Sequence, residues 1–236
     1  MISLIIPAYN EEGNIQRIDH ELTPVLQSLK QPYEILIIND GSNDKTEEEA
    51  KNLKDPYVTL INHEKNGGLG KAVRTGIQHA KGEIIILYEA DFTWNPLYIK
   101  ELLEMQKKIN ADCVIGSHFH KEGQLQGHSK YSVRIFLSKS VNTFYQILLG
   151  SKIASISSLF RLYKAEPLKK LTLTTSGFNI NAEILVKLLR NKAVITEIPV
   201  TLTKRKFGKS KINLTKATLN HLLLLSKVLE WRMFSK

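Results

Sequence analysis

Short apolar runs and helical-period segments take turns along the first half of the chain, and this alternation constrains the fold more than any other feature. Leu4–Pro7 is followed by Glu11–Leu29, Tyr33–Ile38 by Asp44–Leu53, Val58–Ile61 by Leu69–Ala80, and Glu83–Tyr88 by Leu97–Ile109, before Asp112–Gly116 begins the next run. Strand, helix, strand, helix predicts an α/β fold with a mostly parallel sheet sandwiched by helices. In such sheets ligands bind beyond the carboxyl ends of the strands, so the residues just after each apolar run carry the functional weight. The 236 residues suit one large domain or a domain with a short appendage. A composition of 42% hydrophobic and 24% charged residues excludes an extensively disordered, collagen-like or rod-like chain.

Three of these strand ends are polar. Leu4–Pro7 leads into Ala8-Tyr9-Asn10-Glu11-Glu12, Ile35–Ile38 into Asn39-Asp40-Gly41-Ser42-Asn43-Asp44, and Ile84–Tyr88 into Glu89-Ala90-Asp91. Helix capping accounts for Asn43 or Asp44 and a tight turn for Gly41, which leaves Asp40 unexplained. Glu89 and Asp91 place two carboxylates at a strand's end, where a divalent cation finds hard oxygen ligands and keeps positions open for phosphate oxygens. A solvated turn is the alternative reading of that triplet. Asn66-Gly67-Gly68-Leu69-Gly70-Lys71 opens a helix after a strand, where free N–H groups and the helix dipole favour an anion. It fits neither familiar nucleotide motif: a dinucleotide fingerprint from Gly68 needs glycine at Val73, and a phosphate loop through Gly70-Lys71 needs Ser or Thr at Ala72.

The 33 Lys and Arg exceed the 23 Asp and Glu by ten, an excess that favours a polyanionic partner: nucleic acid, acidic lipid headgroups or a phosphorylated substrate. A nucleic-acid role is set aside, because the basic residues are not interleaved with aromatics in any recognisable module. The single cysteine, Cys113, excludes an intrachain disulfide and a Cys-based zinc cage, and reads as core. The N-terminal run Ser3–Pro7 is too short for the apolar part of a signal peptide, and Asn213-Leu214-Thr215 is then an accidental glycosylation triplet. No stretch reaches the roughly 18 apolar residues of a spanning helix, so the expectation is a cytoplasmic protein that does not cross a membrane unaided. Histidines 20, 63, 79, 120, 128 and 221 show no ligand spacing.

Further segments complete a pattern: Ile5-Ile6-Pro7-Ala8-Tyr9-Asn10-Glu11, Asn39–Thr46, Asn66–Ala72, Glu89-Ala90-Asp91, Gly116-Ser117, Gly177-Phe178 with Glu183, and Gly208-Lys209-Ser210-Lys211. In this order and spacing they resemble the inverting family 2 glycosyltransferases of GT-A fold, and within them the polyprenyl (dolichyl) phosphate mannose or glucose synthases. The resemblance covers most of the chain. It implies that Pro7, Ala8, Tyr9, Glu11 and Asp40 cradle the nucleoside of a sugar nucleotide, GDP-mannose or UDP-glucose, with Asp40 accepting from the base and Lys71 and Ala90 nearby. It implies that Glu89 and Asp91 hold Mg2+ or Mn2+ on the diphosphate, with Asp91, Arg134 and Arg205 in the catalytic set.

The acceptor follows from chemistry and the same resemblance. A sugar hydroxyl needs a general base, and neither a base motif nor the Gln-x-x-Arg-Trp signature of polysaccharide synthases is present. A phosphate monoester, with a second pKa of about 6, is already ionised and needs positioning cations instead. Arg134 and Ser138, four apart on one helix face, match an acceptor-phosphate site in the lipid-phosphate synthases, and Arg205 and Lys211 match the basic loop near it. A solvated basic face is the alternative for each alone. Apolar residues recur at helical spacing from Tyr131 to Leu149 and again from Leu222 to Phe234. Lys204-Arg205-Lys206, Lys209, Lys211 and Lys216 precede the second segment, the pattern of an interfacial helix on anionic lipid. The domain reading is therefore a catalytic unit over 1–211, including an acceptor helix over 128–150, and an amphipathic membrane-surface helix over 212–236.

The chain also departs from those synthases. Glu89 replaces the first Asp of Asp-x-Asp, His118 stands where Arg is usual, and Ser155-Ile156-Ser157-Ser158-Leu159-Phe160 replaces Asp-x-x-Ser-Gly-Phe. Phe207 stands where a second Arg is common and Lys209 where Glu is common. A family 2 enzyme using a sugar hydroxyl or other lipid acceptor, and a non-catalytic sugar-nucleotide binder, remain alternatives.

Overall fold

The computed structural model describes residues 1–126, 133–208, 219–221, 223–226, 228 and 229, with the backbone alone over 133–138. Its strands are Ile2–Ala8 (β1), Tyr33–Asn39 (β2), Val58–Asn62 (β3), Ile84–Leu87 (β4), Cys113–Ser117 (β5), Gln124–Leu125 (β6), Arg161–Lys164 (β7), Ile195–Pro199 (β8) and Thr201–Leu202 (β9). Its α-helices are Thr23–Ser28 (α1), Thr46–Lys51 (α2), Leu69–His79 (α3), Tyr98–Ile109 (α4), Val133–Leu149 (α5), Ala165–Lys169 (α6) and Ile180–Arg190 (α7). Seven strands make one sheet in the order β3-β2-β1-β4-β7-β5-β8, and β6 pairs with β9 separately. All neighbours in the large sheet run parallel except β7, which lies antiparallel between β4 and β5.

The order reverses at β1. From there the chain builds outward through β2 to β3, whereas β4 returns to the other side of β1. A crevice opens at such a switch point, beyond the carboxyl ends of the strands that flank it. The register puts Ala8 level with Asn39 across β1 and β2, and Ile5 level with Leu87 across β1 and β4. Glu11, Asp40 and Asp91 each follow one of these three strands, so all three reach the same edge.

Side chains alternate between the two faces of a strand, and both faces are buried. Ile5, Leu36, Ile38, Ile85 and Leu87 pack with α3 and α7 residues such as Val73 and Ile184. Leu4, Ile6, Ile35, Ile37 and Ile86 pack on the other side with Leu26 of α1 and Ile99 and Leu102 of α4. Cys113 is fully buried, and burial pushes its thiol up to about 12, as an inert core residue requires.

The helix expected over Glu11–Leu29 is replaced by turns through Arg17, a five-residue π-helical turn Ile18–Leu22 and the short α1. The reason is local competition. Backbone N–H groups of Glu11, Glu12 and Gly13 donate to the Thr46, Asp44 and Glu49 side chains of the neighbouring segment rather than to an α-helical ladder, and Asn10 takes a left-handed φ of 53°. The helix expected over Asp44–Leu53 shortens to α2, with Asp44 Oδ1 accepting from the Thr46 N–H. The acceptor helix expected over 128–150 is α5 where described; residues 128–132 lie outside the described residues. Of the expected helix over 212–236, 219–221, 223–226, 228 and 229 are described and are helical. Among the described residues no helix is long and apolar enough to cross a membrane.

Candidate active site

The loops after β1 and β2 are laced together into one rigid wall. The Asn10 N–H donates to Ser42 Oγ, the Asn43 N–H donates to Asn10 Oδ1, and the Glu11 N–H donates to Thr46 Oγ1, all within 2.9 Å. Pro7 and Tyr9 are half-buried on this wall and Ala8 is buried.

Asp40 is the hub behind it. Its carboxylate is 3% exposed and accepts from the Gly67 N–H, from the Gly68 N–H at 2.7 Å and from His63 Nδ1 at 2.6 Å. His63 Nε2 in turn meets Thr75 Oγ1 on α3. Asp40 is thus an internal carboxylate beside the start of α3, accepting from the two glycine N–H groups that lead into the helix. This explains Asp40 without a base in place, and it brings in His63, which sequence spacing had set aside. The Gly70 N–H donates to the Ser176 carbonyl, and a Cβ at Gly70 would fall 2.1 Å from the Thr175 carbonyl oxygen. That close approach is what the third glycine serves. Lys71 lies in the first turn of α3, half-buried, with its stem over Gly67.

Glu183 on α7 fixes the 174–176 loop from behind. It is 3% exposed and accepts from the Thr174 and Thr175 N–H groups and from Lys187 Nζ. Burial raises its pKa, but the bonds from Lys187, Thr175 and Thr174 outweigh burial and bring it down to about 2. A depressed carboxylate stabilises the fold in full above its unfolded value near 4.5 and loses that contribution as pH falls toward 2. We predict that Glu183→Gln lowers stability at pH 7 by roughly 3 kcal/mol. In urea titrations the gap to wild type should shrink between pH 4.5 and 2.5.

The third wall is the turn after β4. Asp91 is 4% exposed. Its Oδ1 accepts from the Thr93 N–H and hydroxyl, and its Oδ2 meets Arg205 Nη2 at 2.7 Å. Arg205 Nη1 also lies 3.2 Å from Glu11 Oε1, so one guanidinium bridges the β1 and β4 loops. Lys206 reaches Glu21 at 3.5 Å and Phe207 packs on Gly13, closing the same seam. Glu89 is half-buried beside Asp91, with Oε1 accepting from Trp94 Nε1 at 3.1 Å; Ala90 between them is buried. Phe92 takes a left-handed φ of 55°, which costs a bulky residue about 1–2 kcal/mol and persists only where surroundings hold it.

The Glu89–Asp91 pair fits a divalent cation. It offers hard oxygens at the crevice, and the Arg205 guanidinium marks Asp91 Oδ2 as an oxygen that faces positive charge. Among the described residues no third His, Cys, Asp or Glu joins such a group, so substrate oxygens and water would fill the rest of the shell.

The acceptor side is described in part. Arg134 and Ser138 fall on the backbone of α5, their side chains lie outside the description, and Lys211 lies outside the described residues. His118 follows β5 and its ring lies 5.6 Å from that of Trp94. Ser155 is buried, its N–H donating to Glu197 Oε1 and its carbonyl accepting from Arg161.

Residues 3–172 match the family model for glycosyl transferase family 2. The chain belongs to that family. It is 34% identical to the dolichol-phosphate mannosyltransferase of Pyrococcus furiosus, a match that covers 98% of this chain and 64% of that protein. It is 30% identical to a dolichyl-phosphate β-glucosyltransferase of Trichomonas vaginalis, covering 90% of this chain and 68% of the relative. A crystal structure of Mycobacterium tuberculosis glucosyl-3-phosphoglycerate synthase with Mn2+, uridine diphosphate and phosphoglyceric acid is similar in fold. Its TM-score is 0.72 at 17% identity, over 95% of this chain and 78% of that one.

Proposed function

We propose that this chain transfers a hexose, with inversion and in a metal-dependent reaction, from a nucleotide sugar to a polyprenyl or dolichyl phosphate at a membrane surface. The observation that carries the reading is the bridge of Arg205 between Glu11 and Asp91 at the switch-point crevice. It joins the wall read as the nucleoside cradle to the carboxylates read as the diphosphate's cation site. The names of the two relatives supply the acceptor class and leave mannose and glucose as the donor sugars. In this reading Pro7, Ala8, Tyr9, Glu11, Asp40, Lys71 and Ala90 form the donor pocket. Mg2+ or Mn2+ bound by Glu89 and Asp91 would supply positive charge to the leaving diphosphate.

The reaction needs no proton transfer. An ionised oxygen of the acceptor phosphate bonds to the anomeric carbon while the bond from that carbon to the diphosphate oxygen breaks, and the electron pair leaves on the nucleotide. Arg134, Ser138 and Lys211 are assigned to holding the acceptor phosphate, and Arg205, freed from Asp91, to the phosphates. The test is transfer of labelled hexose from GDP-mannose, and separately UDP-glucose, to polyprenyl phosphate in detergent with Mg2+, Mn2+ or EDTA. A lipid-linked product that disappears with EDTA supports the reading. Tight nucleotide binding without product points to another acceptor or to a non-catalytic binder.

Membrane access is supported by apolar exposure on the helical layer. Phe144 and Ile147 of α5 are 64% and 71% exposed, and Leu219, Leu223 and Leu229 are exposed in the C-terminal helical segment. Tyr145 of α5 meets His221, joining the two segments. The excess of ten cations adds attraction to anionic headgroups. In this reading the binding is peripheral, with the cytoplasmic face as the expected side. Phe144→Ser with Ile147→Ser should weaken co-sedimentation with phosphatidylglycerol vesicles by roughly 10- to 100-fold, leaving nucleotide affinity unchanged.

A further inference from the structure

Arg17 lies outside every motif, yet it is the side chain that holds the Asp91 backbone. It is 8% exposed. Nη1 donates to the Asp91 carbonyl at 3.0 Å and to Asn14 Oδ1 at 3.3 Å, and the guanidinium carbon sits 4.4 Å from the centre of the Phe92 ring. Nε and Nη2 donate to the two carboxylate oxygens of Glu21, at 2.8 and 3.1 Å. With its donors and one face engaged in this way, the guanidinium is committed to the protein rather than to a substrate.

What it touches is the strained part of the site. Phe92 is the residue held at a left-handed φ, and the Asp91 carbonyl belongs to the peptide that leads into it. Arg17 grips that carbonyl and covers the Phe92 ring beyond it. Asn14 extends the grip, because its Nδ2 donates to Glu11 Oε2 at 2.8 Å. Glu11 and Asp91 are thus tied twice: by Arg205 through their carboxylates, and by Asn14 and Arg17 through the protein interior. When a cation and a diphosphate compete for Asp91 and draw Arg205 away, the interior tie is the one that remains.

We infer that Arg17 is a positioning residue that sets divalent-metal affinity by holding the Asp91–Phe92 turn, with Glu21 orienting its guanidinium. The inference rests on the metal-dependent reading above. Groups that orient a metal ligand in this way typically change affinity by about 10- to 100-fold when removed.

The experiment measures free Mn2+ by electron paramagnetic resonance at saturating UDP or GDP, and nucleotide affinity without metal, in wild type, Arg17→Gln and Arg17→Lys. Amide hydrogen exchange of 89–94 in the metal-free protein is followed alongside. We expect Arg17→Gln to weaken Mn2+ binding by about tenfold or more and to speed exchange at Thr93. Metal-free nucleotide affinity should stay within about twofold. Arg17→Lys, which keeps a cation over Phe92 and one donor for the carbonyl, should fall between and guards against a Gln variant that fails to fold. Unchanged Mn2+ affinity in both variants, or equal loss of metal and metal-free nucleotide binding, overturns the inference. A wild type that binds nucleotide but no Mn2+ overturns the metal-dependent reading itself, and this inference with it.

Discussion

Asp91→Asn should lower hexosyl transfer by roughly 10³-fold or more while leaving the fold intact. Loss of a group that stabilises developing charge in a water-poor site usually costs this order of rate. Asn is the informative substitution because its Oδ1 can still accept from the Thr93 N–H and hydroxyl, as Asp91 Oδ1 does. Arg205 keeps Glu11 as a partner. At Oδ2 the negative charge disappears, and an NH2 that cannot accept from Arg205 takes its place. Glu89→Gln should cost less than Asp91→Asn, since one Glu89 oxygen is engaged by Trp94 and Gln preserves that bond. Initial rates across a Mn2+ titration check both: the Asp91 variant should stay inactive at saturating metal, and the Glu89 variant should recover in part. Equal rates for wild type and Asp91→Asn would remove Asp91 from the mechanism.

The parts of the site that were legible before any coordinates were those governed by one rule, that function gathers after the apolar strands of a parallel sheet. Glu11, Asp40, Glu89 and Asp91 all follow from it. Glu89 and Asp91 also have the chemistry of a cation site in their own triplet, so they could be read with no knowledge of their neighbours. The antiparallel β7 was not foreseen, because nothing in Arg161–Lys164 marks the direction of a strand.

The missed contacts share a different physics. Arg17, which no motif contains, meets Asp91 across 74 positions of sequence, and Arg205, which the resemblance did single out, meets Glu11 across 194; no local spacing encodes either contact. Arg17 also sits in a segment whose apolar residues Ile15, Ile18 and Leu22 have helical spacing. That pattern hid the irregular backbone that its hydrogen bonds to α2 impose. His63 was recoverable: it follows β3 directly, and applying the strand-end rule to Val58–Ile61 would have found it. The glycine cluster was read as a place for an anion, and the fold brings the Asp40 carboxylate to the N–H groups of Gly67 and Gly68; spacing reveals what a helix start prefers and not which carboxylate the fold delivers beside it.

That distinction decides how Asp40 should behave. If Asp40 served only to meet a nucleotide base, replacing it would cost affinity and leave stability unchanged or raised, since functional groups are often held at some expense to the fold. The geometry gives the opposite expectation. Asp40→Ala strands the half-buried N–H groups of Gly67 and Gly68 and leaves His63 without its 2.6 Å partner. Each buried donor left unsatisfied costs about 1–3 kcal/mol. A total loss of roughly 2–5 kcal/mol is expected, or a melting temperature lower by about 5–15 °C for a chain of this size. The start of α3, with Lys71, should loosen at the same time, so nucleotide affinity falls as a consequence of lost order. Asp40→Asn tests the charge: its amide can replace one acceptor but turns its NH2 toward donors, and it should recover less than half of the loss. Thermal melts with and without nucleotide separate the two roles. A variant that melts like wild type yet binds nucleotide weakly would make Asp40 a ligand contact, whereas a low melting point in the nucleotide-free protein makes it the tie that shapes the pocket.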